Sequence, residues 1–171
     1  MPVPEMILNR RSVRQFTDYQ LNDEDYEFLL QAAMSAPSAC CRDPWHFIIL
    51  KTPAARSAAA AALPNGGFLG SCGGGIIVCG DPADAHAGEL SYLLQDCSAA
   101  VENILLAASA NGLGGCWLGV HPRMERCQQL QQSFTLPAGM LPIAAIALGK
   151  PAKPATGRTR FDAAKVHTNK W

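Results

Sequence analysis

No run of apolar side chains in the 171 residues approaches the ~18 that a membrane-spanning helix needs. The longest, LPIAAIALG at 141–149, is the length of a strand. Charge of one sign is also missing: Lys+Arg and Asp+Glu number 14 each, so the formal net charge is zero. A neutral chain has no bulk field with which to gather nucleic acid or an anionic membrane surface. Any anion it binds must be held by a local cluster. The stretch MPVPEMILNRRS has no basic start, apolar core and small-residue cleavage site of the secretory kind, so the default expectation is a cytoplasmic protein. The seven cysteines (Cys40, Cys41, Cys72, Cys79, Cys97, Cys116 and Cys127) are odd in number and irregularly spaced, and no C-x-x-C occurs. That argues against a disulfide framework and against a zinc site. The expectation is reduced thiols used as small core residues, and no metal. Common catalytic signatures are missing as well. No G-x-G-x-x-G follows a strand, since GLGG at 112–115 leads into a strand instead, and there is no phosphate loop and no H-E-x-x-H. His46, His86, His121 and His167 are scattered beside no evident nucleophile, so each reads as structural or surface.

What is present suffices for one well-packed domain over residues 1–171, with 49% hydrophobic residues to build its core. A short helix is predicted over residues 4–9, with Pro4 in its first turn. DEDYEFLLQAAMSA opens with acids, then places Tyr26, Leu29, Leu30 and Ala33 at helical spacing. It reads as an amphipathic helix capped by Asn22 and stopped before Pro37. WHFIILK at 45–51 reads as a buried strand, PAARSAAAAAL at 53–63 as a helix, and IIVCG at 76–80 as a second strand after a glycine-rich loop. The longest helix runs over residues 89–110. Asp96, Ala99, Ala100, Asn103, Ala107 and Ala110 fall along or near one stripe of it, which predicts close cover by another helix, with a second subunit as its source. GGCWLGV at 114–120 is a third strand, residues 122–132 a helix, and MLPIAAIALG the last strand. Residues 150–171 are charged and proline-bearing, yet carry Phe161, Val166 and a terminal aromatic. They read as an arm that packs on something, such as a partner subunit.

Two segments carry chemistry. NRRSVRQF at 9–16 sets three arginines around a serine, and GRTRF sets Arg158 and Arg160 two apart. In extended backbone alternate residues share a face, and the planar guanidinium fork suits phosphate oxygens. Arg10, Ser12, Arg14, Arg158 and Arg160 together match a dianionic phosphate; ordinary solvated charges are the alternative on spacing alone. SAPSACCRDPWHF at 35–47 joins a helix end to a buried strand through prolines and small side chains. It is a plain connection, or a place where backbone approaches a flat ligand or a neighbouring chain.

Together with the QDCSAAVENILLAASANGLGGCWLG block at 95–119 and the ending ALGKPAKP…RTRFD…KW, these segments resemble the nitroreductase family of flavin enzymes, in the family's order and over nearly the whole chain. The resemblance implies an α+β fold: a mixed sheet flanked by helices, in an intertwined homodimer whose C-terminal arm (150–171) is exchanged. Two FMN molecules would lie at the interface. Carried over by position, Arg10, Ser12 and Arg14 match residues that hold the FMN phosphate and ribityl chain, Arg11 a neighbour in that run, and Arg158 and Arg160 the basic pair near the end. Pro37, Ser38 and Ala39 match the partner-chain loop over the flavin. Leu118 and Gly119 match the backbone beside the reactive edge of the ring, and Asn65 a position that hydrogen-bonds its pyrimidine side. The implied activity is reduction of nitroaromatic or quinone-type acceptors by NADH or NADPH, in a ping-pong hydride transfer through flavin N5, with no side-chain acid or base assigned. Two positions depart from the family: Cys41 stands where Asn is common, and Asp43 where Gln is common. Cys41 at the flavin reads as a redox-responsive thiol or as a tolerated small residue. An FMN storage or redox-sensing module is the alternative function, and a flavin-free dimer holding another phosphorylated ligand a third.

Overall fold

The computed structural model describes residues 3–154, 156–157 and 159–171. Its apolar runs become four strands, β1 (Trp45–Leu50), β2 (Gly74–Gly80), β3 (Gly114–Gly119) and β4 (Leu141–Gly149), in one sheet of order β1-β2-β4-β3. Five helices pack around it: α1 (Glu5–Asn9), α2 (Asp23–Met34), α3 (Pro53–Ala61), α4 (Leu90–Ala110) and α5 (Met124–Ser133). Every residue of β2 is buried, as is nearly all of β4. Alternation along these strands divides them between two cores. Ile76, Val78, Ala144, Ile146 and Leu148 join α2 and α4 on one face. Ile77, Cys79, Ala145 and Ala147 join α3 and α5 on the other. The period of two in side-chain direction thus yields a three-layer arrangement from two consecutively apolar strands.

Local chemistry sets the helix ends. Asn22 Oδ1 accepts from Asp25 N at 2.8 Å while Asp25 Oδ2 accepts from Asn22 N at 3.1 Å, a reciprocal cap on α2. Asp23, Glu24 and Asp25 also place negative charge where the helix dipole favours it. Tyr26, Leu29 and Ala33 form its buried stripe, and the Tyr26 hydroxyl donates to Leu50 O at 3.3 Å.

One expectation changes. The sheet's strand pairs are antiparallel throughout, not mixed; among the described residues the parallel pairing is the single bridge between Ser12 and Gly115. Neighbouring antiparallel strands need connections that begin and end at the same end of the sheet. A helix followed by a return segment does this twice: α3 with residues 62–73, and α5 with residues 134–140. The small-residue stripe of α4 is covered in part from within the chain, with Asp96 and Ala100 buried and Ala99, Asn103 and Ala107 half-buried. Asn103 Nδ2 donates to Ala32 O of α2 at 3.0 Å, Ala100 is fully buried, and Ala99 and Ala107 pack against the same core, while Ala110 is exposed at the helix end. The arm behaves differently. Phe161 is 79% exposed, Val166 60% and Trp171 fully, so its apolar residues gain little cover from their own chain. No helix of the described residues is long and apolar enough to cross a membrane.

Candidate functional site

After α1 the chain extends along the open side of β3. Val13 N donates to Gly115 O at 3.0 Å, Thr17 N to Lys150 O at 2.9 Å, and Ala152 N to Gln15 O at 3.0 Å. This pins the arginine segment between the start of β3 and the exit of β4. Extended backbone then sorts its side chains: Arg11 and Val13 are half-buried, whereas Ser12 and Arg14 are exposed. Gly114 is glycine because the segment passes so close. A Cβ there would lie 2.6 Å from Val13 Cγ2 and 3.0 Å from Pro151 Cγ.

A cleft of about 500 Å³ opens beside this segment, lined by Arg11, Ser12, Val13, Arg14, Gln15, Lys153 and Thr156. Its lining holds three cations and no carboxylate, and three further side chains (Ser12, Gln15, Thr156) offer hydrogen bonds. Arg14 also lines a second cavity, of about 180 Å³, with Leu63, Asn65, Phe68, Cys116, Trp117, Leu118, Gly119 and Arg126. The two spaces share one guanidinium. Gly119 leaves room: nothing lies within 4 Å of where its Cβ would be. Arg126 Nη1 donates to Gly119 O at 2.7 Å, tying α5 to the end of β3. Burial pushes the Cys116 thiol up, with Arg14 pulling the other way, so Cys116 stays a neutral thiol near pH 7. Arginine does not deprotonate in proteins. This cavity therefore offers no side chain poised to exchange protons at neutral pH.

The expected site residues divide accordingly. Arg11, Ser12 and Arg14 share the larger cleft, and Arg14, Asn65, Leu118 and Gly119 share the smaller cavity. Arg10 does not line either shared space: its Nε lies 3.2 Å from Glu102 Oε1 of α4, and it lines a third cavity, of about 150 Å³, toward Gly112 and Leu113, which shares Arg11 and Val13 with the larger cleft. Arg160 is exposed and lines neither of the two shared spaces. Arg158 falls outside the described residues. Sequence reasoning missed Lys153 and Thr156. Both follow the last strand in the arm, where a basic residue in KPAKP was the available signal. It also missed Arg126, which no motif marks.

Pro37, Ser38, Ala39 and Cys41 lie on a turn before β1, which is the opposite edge of the sheet from β3, so one chain does not bring them to the arginines. The turn is tightly built. Ala39 N donates to Asp96 Oδ1 of α4 at 3.0 Å, and Asp96 is only 5% exposed with Oδ2 unpartnered. Ser38 Oγ accepts from Asp43 N at 3.0 Å and donates to Asp43 Oδ1 at 2.5 Å. Cys40, Cys41 and Asp43 all have positive φ, near 50°. Each such non-glycine residue costs of order 1 kcal/mol, and such strain tends to gather at functional sites. Close by, His46, Asp81 and Asp84 bring their ligand-type atoms within 4.8 Å of one another. They are largely exposed, and Asp81 Oδ1 already accepts from Ala83 N at 2.8 Å.

Comparison with known proteins gives this geometry a context. The model of the nitroreductase family matches residues 7–67 and 65–150. A provisionally named NADH dehydrogenase/NAD(P)H nitroreductase of Archaeoglobus fulgidus is 39% identical over 170 residues, covering 98% of this chain and 97% of its own. An NADPH-dependent FMN reductase of Bacillus subtilis is 26% identical over 165 residues, 86% of this chain and 65% of its own. The crystal structure of a provisionally named NADH dehydrogenase/NAD(P)H nitroreductase from Parabacteroides distasonis superposes with a TM-score of 0.91 at 35% identity, covering 98% of this chain and 97% of that one. With the family model matching most of the chain and relatives similar over nearly its full length, the chain belongs to the nitroreductase family.

Proposed function

We propose that this protein is an FMN-dependent oxidoreductase that uses NADH or NADPH to reduce nitroaromatic or quinone-type acceptors, working as a homodimer. The observation that carries the reading is the acid-free cleft of Arg11, Arg14 and Lys153, joined through Arg14 to the cavity of Asn65, Leu118 and Gly119. The residues present fit FMN. A phosphate dianion needs concentrated positive charge and hydrogen-bond donors, which Arg11, Ser12, Arg14, Lys153 and Thr156 offer. A flat ring needs an apolar wall and backbone polar groups. Leu63, Phe68 and Leu118 line the cavity, and β3 is a sheet edge beyond Gly115, so alternate N–H groups there face away from β4. Naming a Bacillus subtilis relative an FMN reductase agrees with this choice.

The chemistry FMN supplies when bound is hydride acceptance at N5 from the nicotinamide, then donation to the acceptor in a second half-reaction. This chain's residues bind and orient. Arg14 lines both spaces and would hold the phosphate end of the cofactor beside the ring cavity. Leu118 and Gly119 would present backbone to the ring, and Arg126 holds Gly119 O in place. A second copy completes the site, because the turn at residues 37–41 lies at the far sheet edge of its own chain. The exposed Phe161, Val166 and Trp171 of the arm are the surface by which that copy is held.

The test is the visible spectrum of freshly purified protein under anaerobic conditions, before and after NADH and then NADPH. Flavin bands that bleach with either nucleotide support the reading. Flavin bands that persist with both refute the reductase and leave a storage or sensing module, and colourless protein that takes up no added FMN refutes the cofactor.

A further inference from the structure

The ring cavity has a second basic neighbour. It shares Arg14 with the phosphate cleft, and it shares Arg126 with a further cavity of about 230 Å³ between α3 and α5. The wall between these last two spaces is the chain that leaves α3. Leu63 and Asn65 line the ring cavity, whereas Ala62 and Pro64 line the outer one. The outer cavity adds Arg123, three residues before Arg126 and so on the same face at the start of α5.

Neither guanidinium is answered by a carboxylate. No ion pair among the described residues includes Arg123 or Arg126. Arg126 Nη1 donates to Gly119 O, and no other hydrogen bond of that side chain occurs among the described residues. Glu125 lines the same space, but it stands in the first turn of α5, where the helix dipole favours negative charge. The two arginines have no such reason to be there, because cations are disfavoured at that end of a helix. An anion between them removes the conflict. Packing fixes the pair in place: Cys127 and Leu130 of α5 are fully buried, and Arg123 N donates to Val120 O at 3.0 Å.

The chemistry of the reactants selects the anion. The phosphate of FMN is met by Arg11, Arg14 and Lys153 in the larger cleft. Quinones and simple nitroaromatics carry no charge. A reduced nicotinamide nucleotide must bring a diphosphate, and in NADPH a 2′-phosphate as well, close to the ring it reduces.

We propose that Arg123 and Arg126 form the subsite for a phosphate of the reducing nicotinamide nucleotide, beside the ring cavity and held on α5. The proposal rests on the reductase reading above. The guanidinium fork suits phosphate oxygens, so Arg126 serves both sides of the wall, with one N–H on Gly119 O and others on the phosphate.

The test is anaerobic rapid-mixing reduction of the FMN-loaded protein by NADPH, by NADH and by 1-benzyl-1,4-dihydronicotinamide, a hydride donor with no phosphate. Arg123 is exposed. Arg123→Ala should raise the half-saturating concentration of the nucleotides about 3- to 10-fold, the low end for a charge-assisted hydrogen bond at an exposed side chain. The limiting rate should hold, and reduction by the benzyl compound should not follow the change. Arg123→Glu should raise the half-saturating concentration further, and Arg123→Lys should restore most of the loss. Added salt should weaken nucleotide binding more in the wild type than in Arg123→Ala. An effect confined to NADPH assigns the 2′-phosphate, and an equal effect on both nucleotides assigns the diphosphate. Unchanged half-saturation in both Arg123→Ala and Arg123→Glu, or an equal loss with the benzyl compound, overturns the proposal and leaves the reductase standing. A wild-type flavin that neither nucleotide bleaches overturns both.

Discussion

Adding a methyl group at Gly114 should disturb stability and cofactor binding together, through one contact. A Cβ there would sit 2.6 Å from Val13 Cγ2 and 3.0 Å from both Val13 Cβ and Pro151 Cγ. Carbon pairs rest at about 3.5–4.0 Å, so the overlap is roughly 1 Å against an extended segment held by backbone hydrogen bonds. Overpacking of this kind costs about 1–3 kcal/mol. Removing a strand glycine returns about 0.5–1 kcal/mol of chain entropy. Gly114→Ala is therefore expected to lose roughly 1–2 kcal/mol, or about 2–8 °C in Tm for a chain of this length. Val13→Ala removes the clashing methyl at a cost of about 1 kcal/mol for a half-buried side chain. Because the two side chains collide, the double variant should be more stable than the sum of the singles predicts, by at least about 1 kcal/mol. Urea denaturation with an unchanged m-value measures this. Arg11, Ser12 and Arg14 ride on the displaced extended segment, so FMN affinity should fall in Gly114→Ala and recover in the pair. Strict additivity, or a Gly114→Ala protein as stable as wild type, would refute the packing argument.

Arg14→Ala should weaken FMN binding about 10- to 100-fold, the worth of a lost charge-assisted hydrogen bond, with Arg14→Lys recovering part; fluorescence titration of the apoprotein checks this, and equal affinities would sink the shared-guanidinium reading. The stability that Cys79 and Cys97 contribute should be constant from neutral pH to about pH 9 and be lost above it. Cys79 and Cys97 hold their protons to about 12 in the fold but release them near 9.0 when unfolded, so the unfolded state gains as pH rises through that window. The loss is about 1.4 kcal/mol per pH unit for each thiol, read as Tm against pH, and Cys79→Ala should make the slope shallower. Deleting residues 159–171 removes Phe161, Val166 and Trp171 and should shift sedimentation velocity from dimer to monomer; an unchanged dimer would show that the arm does not hold the subunits together.

Much of the architecture was legible because it rests on local rules. The α2 start follows from Asn22 and Asp25, three and no more residues apart, as a reciprocal cap requires. The strands were visible as short apolar runs between glycines and prolines. In the arginine segment, alternation alone puts Ser12 and Arg14 on one face, and both line the larger cleft. The small-residue stripe of α4 was legible as a close-packing surface. Its partner was not, since a stripe records how near a neighbour comes and not which chain supplies it.

Tertiary structure decided the rest. Asn65 and Leu118 come together across one cavity only because α3 and α5 pack on the same sheet face. Lys153 enters the cleft because Ala152 N bonds Gln15 O. Arg10, one residue before the aligned segment, goes to Glu102 instead of the cleft, a choice set by where α4 lies. The antiparallel sheet depends on how each connection returns, and the Cys40–Cys41 turn depends on Asp96, more than 50 residues away in the chain. Spacing and side-chain type determine the elements and which residues share a face, because those follow from backbone periods of a few ångströms. Which faces meet is set by the burial of all the apolar surface at once, a property of the whole chain that no short stretch carries.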